Sequence, residues 1–219
     1  PYVLSNIELA NGRILAAYDI DVMSHLFCYN MKGEKLYEVE LPGQGSLQGI
    51  SADKDTPEAF YTYTSFIMPR TVYRMDVEKN VSEKYYAPEI DFNSDDYESY
   101  QVFFASKDGT RVPMTITHRK GIEKNGLNPT LLYGYGGFSN SLPARFIDNM
   151  IPFLEQGGIY VDVNLRGGNE YGEEWHVAGT KMQKQNVFDD FISAAEYLIA
   201  EGYTSPAKLA INGASNGGL

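Results

Sequence analysis

The sequence predicts a chain in two parts: an all-β first part, and a second part in which strands alternate with helices. Three observations predict this fold class. Short runs rich in Leu, Ile, Tyr, Phe and Val recur between turn residues as far as residue 86, and they form two similar sets. After residue 130, apolar runs alternate with segments of helical character. A polar, acidic stretch at residues 88–98 separates the two patterns, so we assign residues 1–92 to the first domain and residues 93–219 to the second.

The first part should consist of antiparallel strands connected by hairpins. No long helical pattern interrupts the apolar runs, and the dipeptides Lys32-Gly33 and Pro42-Gly43 are turn signals. The predicted strands are residues 13–20, 25–31, 35–41, 59–66, 71–77 and 82–86.

The two sets of strands look like copies of one unit. Leu26–Met31 aligns with Val72–Val77 at an offset of about 46 residues, and Ile14–Tyr18 aligns in the same way with Phe60–Thr64. A strand repeat of this length is typical of β-propeller blades. Because two blades alone would leave sheet edges unpaired, we expect further blades upstream of residue 1. A generic antiparallel sheet domain is the alternative.

The second part should begin with a hairpin and continue with alternating elements. Lys107–Thr110 is a hairpin turn signal. In the longest helix, we expect Asn186 as N-cap, Asp189 at the third helical position and Gly202 as the stop signal. The apolar face of that helix should contain Phe188, Phe191, Ile192, Ala195, Leu198 and Ile199. The other predicted elements are strands at 100–105, 112–118, 130–135, 158–164 and 209–212, and a helix near 150–156.

The second part should form a mostly parallel sheet, because strands that alternate with helices usually do so. Binding sites in such sheets gather at the carboxyl ends of the strands. Tyr135, Arg166 and Ser215 each come just past a predicted strand end. We therefore expect these three residues at one edge of the sheet.

The end of the chain carries a nucleophile motif. Gly213, Ser215 and Gly217 form the pattern G-x-S-x-G directly after the apolar run Leu209–Ile211. In this motif a strand turns sharply into a helix and exposes the serine hydroxyl, and the two glycines leave room for the crowded backbone. Ser215 is therefore the candidate nucleophile.

A nucleophilic serine needs a histidine to accept its proton and a carboxylate to orient that histidine. In the chain order typical of this motif, both residues follow the serine. His25, His118 and His176 all precede Ser215, so we interpret them as structural and expect the acid and the base beyond Leu219. The chain by itself should therefore not hydrolyse a substrate.

The oxyanion formed by the serine's attack also needs hydrogen-bond donors. The backbone N–H of Asn216, the residue after the nucleophile, is the expected first donor. The loop Gly134–Phe138 follows an earlier strand, and its three glycines allow close approach of the backbone. Either Tyr135 or a backbone N–H of this loop is expected to supply the second donor.

The composition limits the classes of partner. The chain has 18 Lys and Arg against 29 Asp and Glu, for a formal net charge of −11, which argues against nucleic acid because that partner needs a basic surface. No apolar run is long enough to span a membrane. We also expect no cofactor and no metal. The single cysteine, Cys28, excludes an internal disulfide and should be reduced in a packed strand.

Several blocks of the sequence resemble the prolyl oligopeptidase family. The similarity is dense over residues 100–219 and looser over residues 1–92. Ala214 and Asn169 stand where the family more often has glycine. The blocks are Tyr133–Phe138 around the family's oxyanion tyrosine, Leu165–Gly172 with Trp175-His176, Lys184–Phe191, Gly202–Pro206, and the S-N-G-G-L sequence from Ser215 to Leu219.

The resemblance implies a fold and an activity. The fold would be the last blades of a β-propeller over residues 1–92, followed over residues 93–219 by the N-terminal part of an α/β-hydrolase domain. The activity would be that of a serine endopeptidase that cuts short peptides on the carboxyl side of proline through an acyl-enzyme. Trp175 would be structural, because the family's proline-stacking tryptophan follows the serine.

The resemblance also implies roles for four residues. Ser215 would be acylated, the Asn216 N–H and the Tyr135 hydroxyl would be the oxyanion donors, and Phe138 would line the substrate site. The implied partners are short proline-containing peptides bound by a monomer, in the cytoplasm or alternatively the periplasm.

Two other readings remain open from the sequence. The first is a related hydrolase on the same scaffold, namely an oligopeptidase for basic residues, a dipeptidyl peptidase or an esterase. The second is a propeller-based binding protein whose hydrolase domain has decayed. Residues downstream of Leu219 would decide, because acidic pocket groups favour basic substrates, an aromatic floor favours proline, and a missing Asp and His favour a binding protein.

Overall fold

The computed structural model describes residues 2–219, which form two compact units. The first unit comprises the chain up to Phe92 together with the short segment Pro143–Phe146. The second unit comprises Asn93–Leu142 and Ile147–Leu219. Each unit has a hydrophobic core of its own, so each buries its apolar surface separately.

The first unit begins with a four-stranded antiparallel sheet in which each strand pairs with the next along the chain. The strands are β1 (Tyr2–Ala10), β2 (Arg13–Ile20), β3 (Met23–Asn30) and β4 (Lys35–Val39). The last three confirm the predicted strands. The sequence pattern did not predict β1, which has a β-bulge between Leu4 and Asn6.

A second four-stranded antiparallel sheet follows with the same order. Its strands are β5 (Ser46–Ala52), β6 (Glu58–Ser65), β7 (Met68–Asp76) and β8 (Val81–Tyr86). The last three again match the predicted strands. A bulge between Leu47 and Gly49 interrupts β5, just as one interrupts β1, and this first strand of the sheet was also not predicted.

The two sheets are copies of one structural unit. The second strands begin at residues 13 and 58, and the third strands begin at residues 23 and 68. Four antiparallel strands joined in sequence are the form of a propeller blade. Strands from both sheets contribute to one core, which contains Leu15, Leu26, Cys28, Val39, Tyr61, Tyr63, Met75 and Val77. Cys28 is buried in β3 as a free thiol, as predicted.

The second unit is built on a five-stranded sheet. Its order is β13-β11-β12-β10-β9. The strands are β9 (Tyr97–Ala105), β10 (Arg111–Arg119), β11 (Thr130–Gly134), β12 (Ile159–Val163) and β13 (Leu209–Asn212). Only β13, β11 and β12 are mutually parallel, whereas β10 pairs antiparallel with both β12 and β9. The expectation of a mostly parallel sheet was wrong for this edge, because the β9–β10 hairpin adds to the sheet through β12.

Three α-helices accompany this sheet: α1 (Ile151–Glu155), α2 (Glu173–Val177) and α3 (Gln185–Ala200). Pro152 lies in the first turn of α1, where its missing N–H costs nothing. The sequence pattern did not predict α2, which is only five residues long. Trp175 of α2 is buried, and its indole N–H donates to the Leu165 carbonyl at 3.1 Å.

The predicted N-cap of α3 was wrong. The helix begins at Gln185, and Asn186 lies inside it with its side-chain amide donating to the Ala178 carbonyl at 2.9 Å. A 3-10 turn at Lys181–Gln183 leads into α3, so Lys184 at the cap position is already helical and no side-chain cap is needed. Gly202 follows the helix with φ 75°, as its stop role requires.

The predicted apolar face of α3 is confirmed in part, because Leu198 is buried and Phe191 and Ala195 pack against the core. The buried residues are Val187, Asp190, Ala194 and Leu198, whereas Ile192 is exposed. The buried face of α3 also contains a carboxylate, that of Asp190. Across residues 2–219, no helix combines the length and the apolar character needed to cross a bilayer.

Candidate active site

Two loops of the second unit leave neighbouring strands at the same edge of the sheet. β11 and β13 are parallel, and Tyr133 of β11 is paired with Asn212 of β13. The loop after β11 therefore begins beside the turn after β13. The Asn216 side-chain amide donates to the Tyr135 carbonyl at 2.6 Å and joins the two loops. The structure thus brings together the segments of Tyr135 and Ser215, as predicted.

The turn after β13 places Ser215 in an unusual backbone conformation. Ala214 is extended, Ser215 has φ 55°, and a 3-10 turn at Ser215–Gly218 follows. A left-handed conformation is uncommon for a residue with a side chain, and strain of this kind is concentrated at functional sites. Ser215 is exposed. An exposed serine at the apex of a strained turn is the arrangement of a nucleophile elbow.

The two glycines of the motif are required by space. A Cβ atom at Gly213 would overlap the carbonyl oxygen of Gly217. A Cβ atom at Gly217 would lie 2.6 Å from the carbonyl oxygen of Gly134 in the neighbouring loop. The elbow is therefore closed on itself and packed against the β11 loop, which confirms the reason given for these glycines.

The loop after β11 is tightly packed at its glycines and open at its aromatic tip. A Cβ atom at Gly136 would overlap Val187 of α3, and a Cβ atom at Gly137 would overlap the Asn216 amide. Phe138 has φ 55° and is 78% exposed. The loop continues into Ser139, whose N–H donates to the Gly167 carbonyl at 3.1 Å. Phe138 thus lies on the surface next to a rigid backbone.

Lys184 forms hydrogen bonds to both loops. Its ammonium group donates to the Gly136 carbonyl at 2.9 Å and to the Asn216 side-chain oxygen at 3.1 Å. Burial lowers the pKa of Lys184. Because lysine was not among the predicted site residues, this is a site residue that sequence reasoning missed. It stands at the start of the Lys184–Phe191 block, but nothing in that block indicates what the ammonium group contacts.

Arg166 lies in a buried ionic cluster instead of facing a substrate. Its guanidinium donates to Asp190 at 2.6 Å from Nη2 and to Asp108 at 2.6 Å from Nη1. Asp190 also accepts from the Ser106 hydroxyl at 2.6 Å. The hydrogen bond from Arg166 holds the pKa of Asp108 down at about 2. Arg166 follows the end of β12 at the expected edge of the sheet, but its charge is neutralised inside the protein.

The loop that carries Arg166 supports the β11 loop. Leu165 and Arg166 lie against Gly136, where a Cβ atom would come within 2.9 Å of the Leu165 Cβ and 3.1 Å of the Arg166 carbonyl oxygen. The next residue, Gly167, accepts the hydrogen bond from Ser139. The loop whose Arg166 side chain enters the ionic cluster is therefore in direct contact with the candidate oxyanion loop.

The three histidines have structural surroundings. His25 pairs with Glu38 at 2.8 Å in the first unit. In the second unit, His118 is buried with Nδ1 2.8 Å from the Arg119 carbonyl, and His176 has Nδ1 2.9 Å from the Gly167 carbonyl. These contacts agree with the structural interpretation.

A cavity of about 360 Å³ lies between the elbow and helix α3. Its wall is mostly apolar and is completed by Lys184. The exposed Ile192 faces this space together with the exposed Ile211 of β13. The other main lining residues are Tyr135, Leu165, Val187, Phe188, Phe191, Asn216 and Leu219.

Two family descriptions match most of the chain. That of the prolyl oligopeptidase family matches residues 144–219, and that of the prolyl oligopeptidase N-terminal β-propeller domain matches residues 2–88. The chain belongs to the prolyl oligopeptidase family. The prediction of propeller blades followed by the start of an α/β-hydrolase domain is confirmed.

Two prolyl endopeptidases are similar in sequence to nearly the whole of this chain. A prolyl endopeptidase from Elizabethkingia miricola is 46% identical over 214 residues, which are 97% of this chain and 30% of that protein. A prolyl endopeptidase from Dictyostelium discoideum is 41% identical over 223 residues, which cover 100% of this chain and 29% of that protein. The chain therefore spans about 30% of the length of these curated relatives.

Solved structures of the prolyl oligopeptidase family have the same fold. A prolyl endopeptidase structure superimposes with a TM-score of 0.92 at 44% identity, over 99% of this chain and 32% of its own. Prolyl oligopeptidase B from Galerina marginata superimposes with a TM-score of 0.90 at 35% identity, over 99% of this chain and 32% of its own. At these identities the likeness extends to the sequence as well as to the backbone.

Proposed function

We propose that the protein containing this chain is a serine endopeptidase that hydrolyses short peptides on the carboxyl side of proline, with Ser215 as nucleophile. The observation that carries the proposal is the strained, exposed Ser215 on a glycine-enclosed turn beside the Tyr135 loop. Membership of the prolyl oligopeptidase family supports it, since relatives at 46% and 41% identity are named prolyl endopeptidases. Residues 1–92 and 93–219 are the proposed domains.

The proposed reaction has two steps. The Ser215 Oγ forms a bond to the carbonyl carbon of the proline itself, and its proton passes to a histidine expected beyond Leu219. The C–N bond then breaks, and the departing amine takes that proton. Water, deprotonated by the same histidine, attacks the resulting ester and releases the acid and the free serine.

Asn216 and Tyr135 are the proposed donors to the oxyanion. The N–H of Asn216 follows the nucleophile directly, which is the usual position of the first donor. The Tyr135 residue begins the adjacent loop, and its backbone is fixed by the hydrogen bond from Asn216. Donors that are already positioned stabilise the developing charge without reorganisation. Phe138, exposed at the tip of this loop, is the proposed substrate contact.

Labelling and cleavage assays on the full-length protein test the proposal. A serine-directed phosphonate should modify Ser215 and should fail to modify Ser215→Ala. The matched control is Ser139→Ala, because Ser139 is also exposed and has φ 56°. Fluorogenic peptides with proline before the reporter should be cleaved, whereas analogues with arginine or alanine there should not. Labelling that persists in Ser215→Ala would exclude Ser215 as nucleophile.

A second outcome of the acyl-enzyme is suggested by other relatives. A dual-function macrocyclase-peptidase from Galerina marginata is 36% identical over 99% of this chain. If an amine of the substrate replaced water in the second step, the product would be a cyclic peptide. Because the endopeptidases are more similar to this chain, we propose hydrolysis as the main outcome. Mass spectrometry of products from a long peptide would distinguish the two.

A further inference from the structure

The contacts of Lys184 point to a role that the elbow motif does not contain. Its ammonium group reaches the Gly136 carbonyl at 2.9 Å and the Asn216 side-chain oxygen at 3.1 Å. The same Asn216 side chain donates to the Tyr135 carbonyl at 2.6 Å. Three hydrogen bonds thus form a closed link between α3, the elbow and the β11 loop.

The link connects the backbones that carry the two proposed oxyanion donors. The proposed donors are the backbone N–H of Asn216 and the hydroxyl of Tyr135. Asn216 lies in the short 3-10 turn Ser215–Gly218 and Tyr135 lies in an irregular loop, so the spacing of the two depends on the contacts between them. Gly137 shows how close they are, because a Cβ atom there would overlap the Asn216 amide.

We propose that Lys184 is a positioning residue, which fixes the distance between the Asn216 N–H and the Tyr135 hydroxyl by holding the Asn216 side chain. The proposal rests on the proposed function, since it concerns the oxyanion of that reaction. Lys184 has two fixed acceptors and is partly buried. An amide held on its oxygen side by an ammonium group cannot rotate without breaking its bond to Tyr135.

A lost positioning contact has a defined kinetic signature. Oxyanion donors act on the transition state more than on the bound substrate, so misplacing them lowers kcat and leaves KM nearly unchanged. A displacement of about 1 Å costs on the order of 100-fold in rate. We expect Lys184→Met, which keeps the length of the side chain but removes its donors, to lower kcat by about 10- to 100-fold.

The experiment is a double-mutant cycle in the full-length protein with a fluorogenic proline peptide. Lys184→Met and Asn216→Ala should each lower kcat. Because both substitutions break the same hydrogen-bonded link, their effects should not multiply, and the kcat of the double variant should lie within about threefold of that of the slower single variant. KM should stay within about threefold in all variants. Lys208→Met, which changes an exposed lysine in the same unit, is the control and should keep wild-type kcat.

Each result has a distinct meaning. A kcat of Lys184→Met within about twofold of wild type, or losses that multiply in the double variant, would overturn the role of Lys184. If Lys184→Met does not fold, Asn216→Ala alone gives the test, since it keeps the bond from Lys184 to Gly136. A wild-type kcat for that variant would also overturn the proposal. An inactive wild-type protein that the phosphonate does not label would refute the proposed function instead.

Discussion

The buried pair of Arg166 and Asp190 supports a quantitative prediction. The side chain of Asp190 is 0% exposed and that of Arg166 is 5% exposed. Asp190 accepts from the Arg166 Nη2 at 2.6 Å, from its backbone N–H at 3.1 Å and from the Ser106 hydroxyl at 2.6 Å. Replacing the carboxylate by Asp190→Asn would leave a buried guanidinium without its nearest charge. Breaking such a pair costs about 3–5 kcal/mol in the free energy of unfolding.

Asp108 provides the matched comparison, because it binds the same guanidinium from the surface. Its side chain is 47% exposed. The fall of its pKa from 3.8 to about 2 corresponds to about 2.4 kcal/mol at 1.36 kcal/mol per pKa unit. Solvent screening at such an exposed position reduces this to about 1 kcal/mol. Asp108→Asn should lower the free energy of unfolding by about 1 kcal/mol, and Asp190→Asn by at least about 3 kcal/mol. The two losses should therefore differ by at least about 2 kcal/mol.

Urea denaturation of the full-length protein is the assay. Wild type and the two variants are compared at one urea concentration within the transition of the hydrolase domain, which avoids a long extrapolation. Equal losses for Asp108→Asn and Asp190→Asn would refute the reasoning. A loss below about 1 kcal/mol for Asp190→Asn would do so too, because the pair would then not be desolvated as its burial implies.

Three further predictions concern the elbow, the oxyanion loop and the pH dependence of stability. Tyr135→Phe should lower kcat by roughly 10²–10³ with little change in KM, and a near-wild-type kcat in steady-state assays would remove its hydroxyl from the mechanism. Gly213→Ala should slow phosphonate labelling of Ser215 by roughly tenfold or more, because its Cβ would overlap the Gly217 carbonyl oxygen. The control is Gly49→Ala, where the added Cβ atom meets open space. Equal labelling rates in the two variants would contradict the steric argument. Asp108→Asn should cost about 1 kcal/mol at pH 7 and progressively less between about pH 4 and pH 2. The cost falls on acidification because a carboxyl whose pKa is depressed in the folded state stabilises the fold only while it is ionised. A stability cost of Asp108→Asn that grows on acidification would show that the Asp108 carboxylate does not stabilise the fold in this way.

Local pattern predicted most of the regular structure. The third strands of both blades and the strand before the elbow were found because their apolar alternation and turn residues are local properties. The missed strands, β1 and β5, each contain a bulge, but so do the predicted strands β4 and β8, so the bulges do not explain the difference. The pairing of β1 with β2 and of β5 with β6 is determined by the partner strand, and a single strand's pattern does not contain that information.

The candidate site was predicted only in part for the same reason. Ser215 and the Tyr135 loop carry local signals, namely flanking glycines and an apolar strand before each. Lys184 carries none, since lysine at the start of a helix is usually a solvated side chain. Arg166 gave a misleading signal, because its position past a strand end fits a binding residue equally well. The sequence alone does not reveal the buried partner, Asp190, that neutralises it.

The sequence by itself determined the blade repeat, the family and the proposed nucleophile, because each depends on residues close together along the chain. Only the tertiary structure decided which charges are buried and which loops touch. Lys184 and Asn216 are 32 residues apart, and Asn216 and Tyr135 are 81 apart, yet hydrogen bonds join them. Contacts over such separations arise from the pairing of β11 with β13, which brings distant segments to one edge of the sheet.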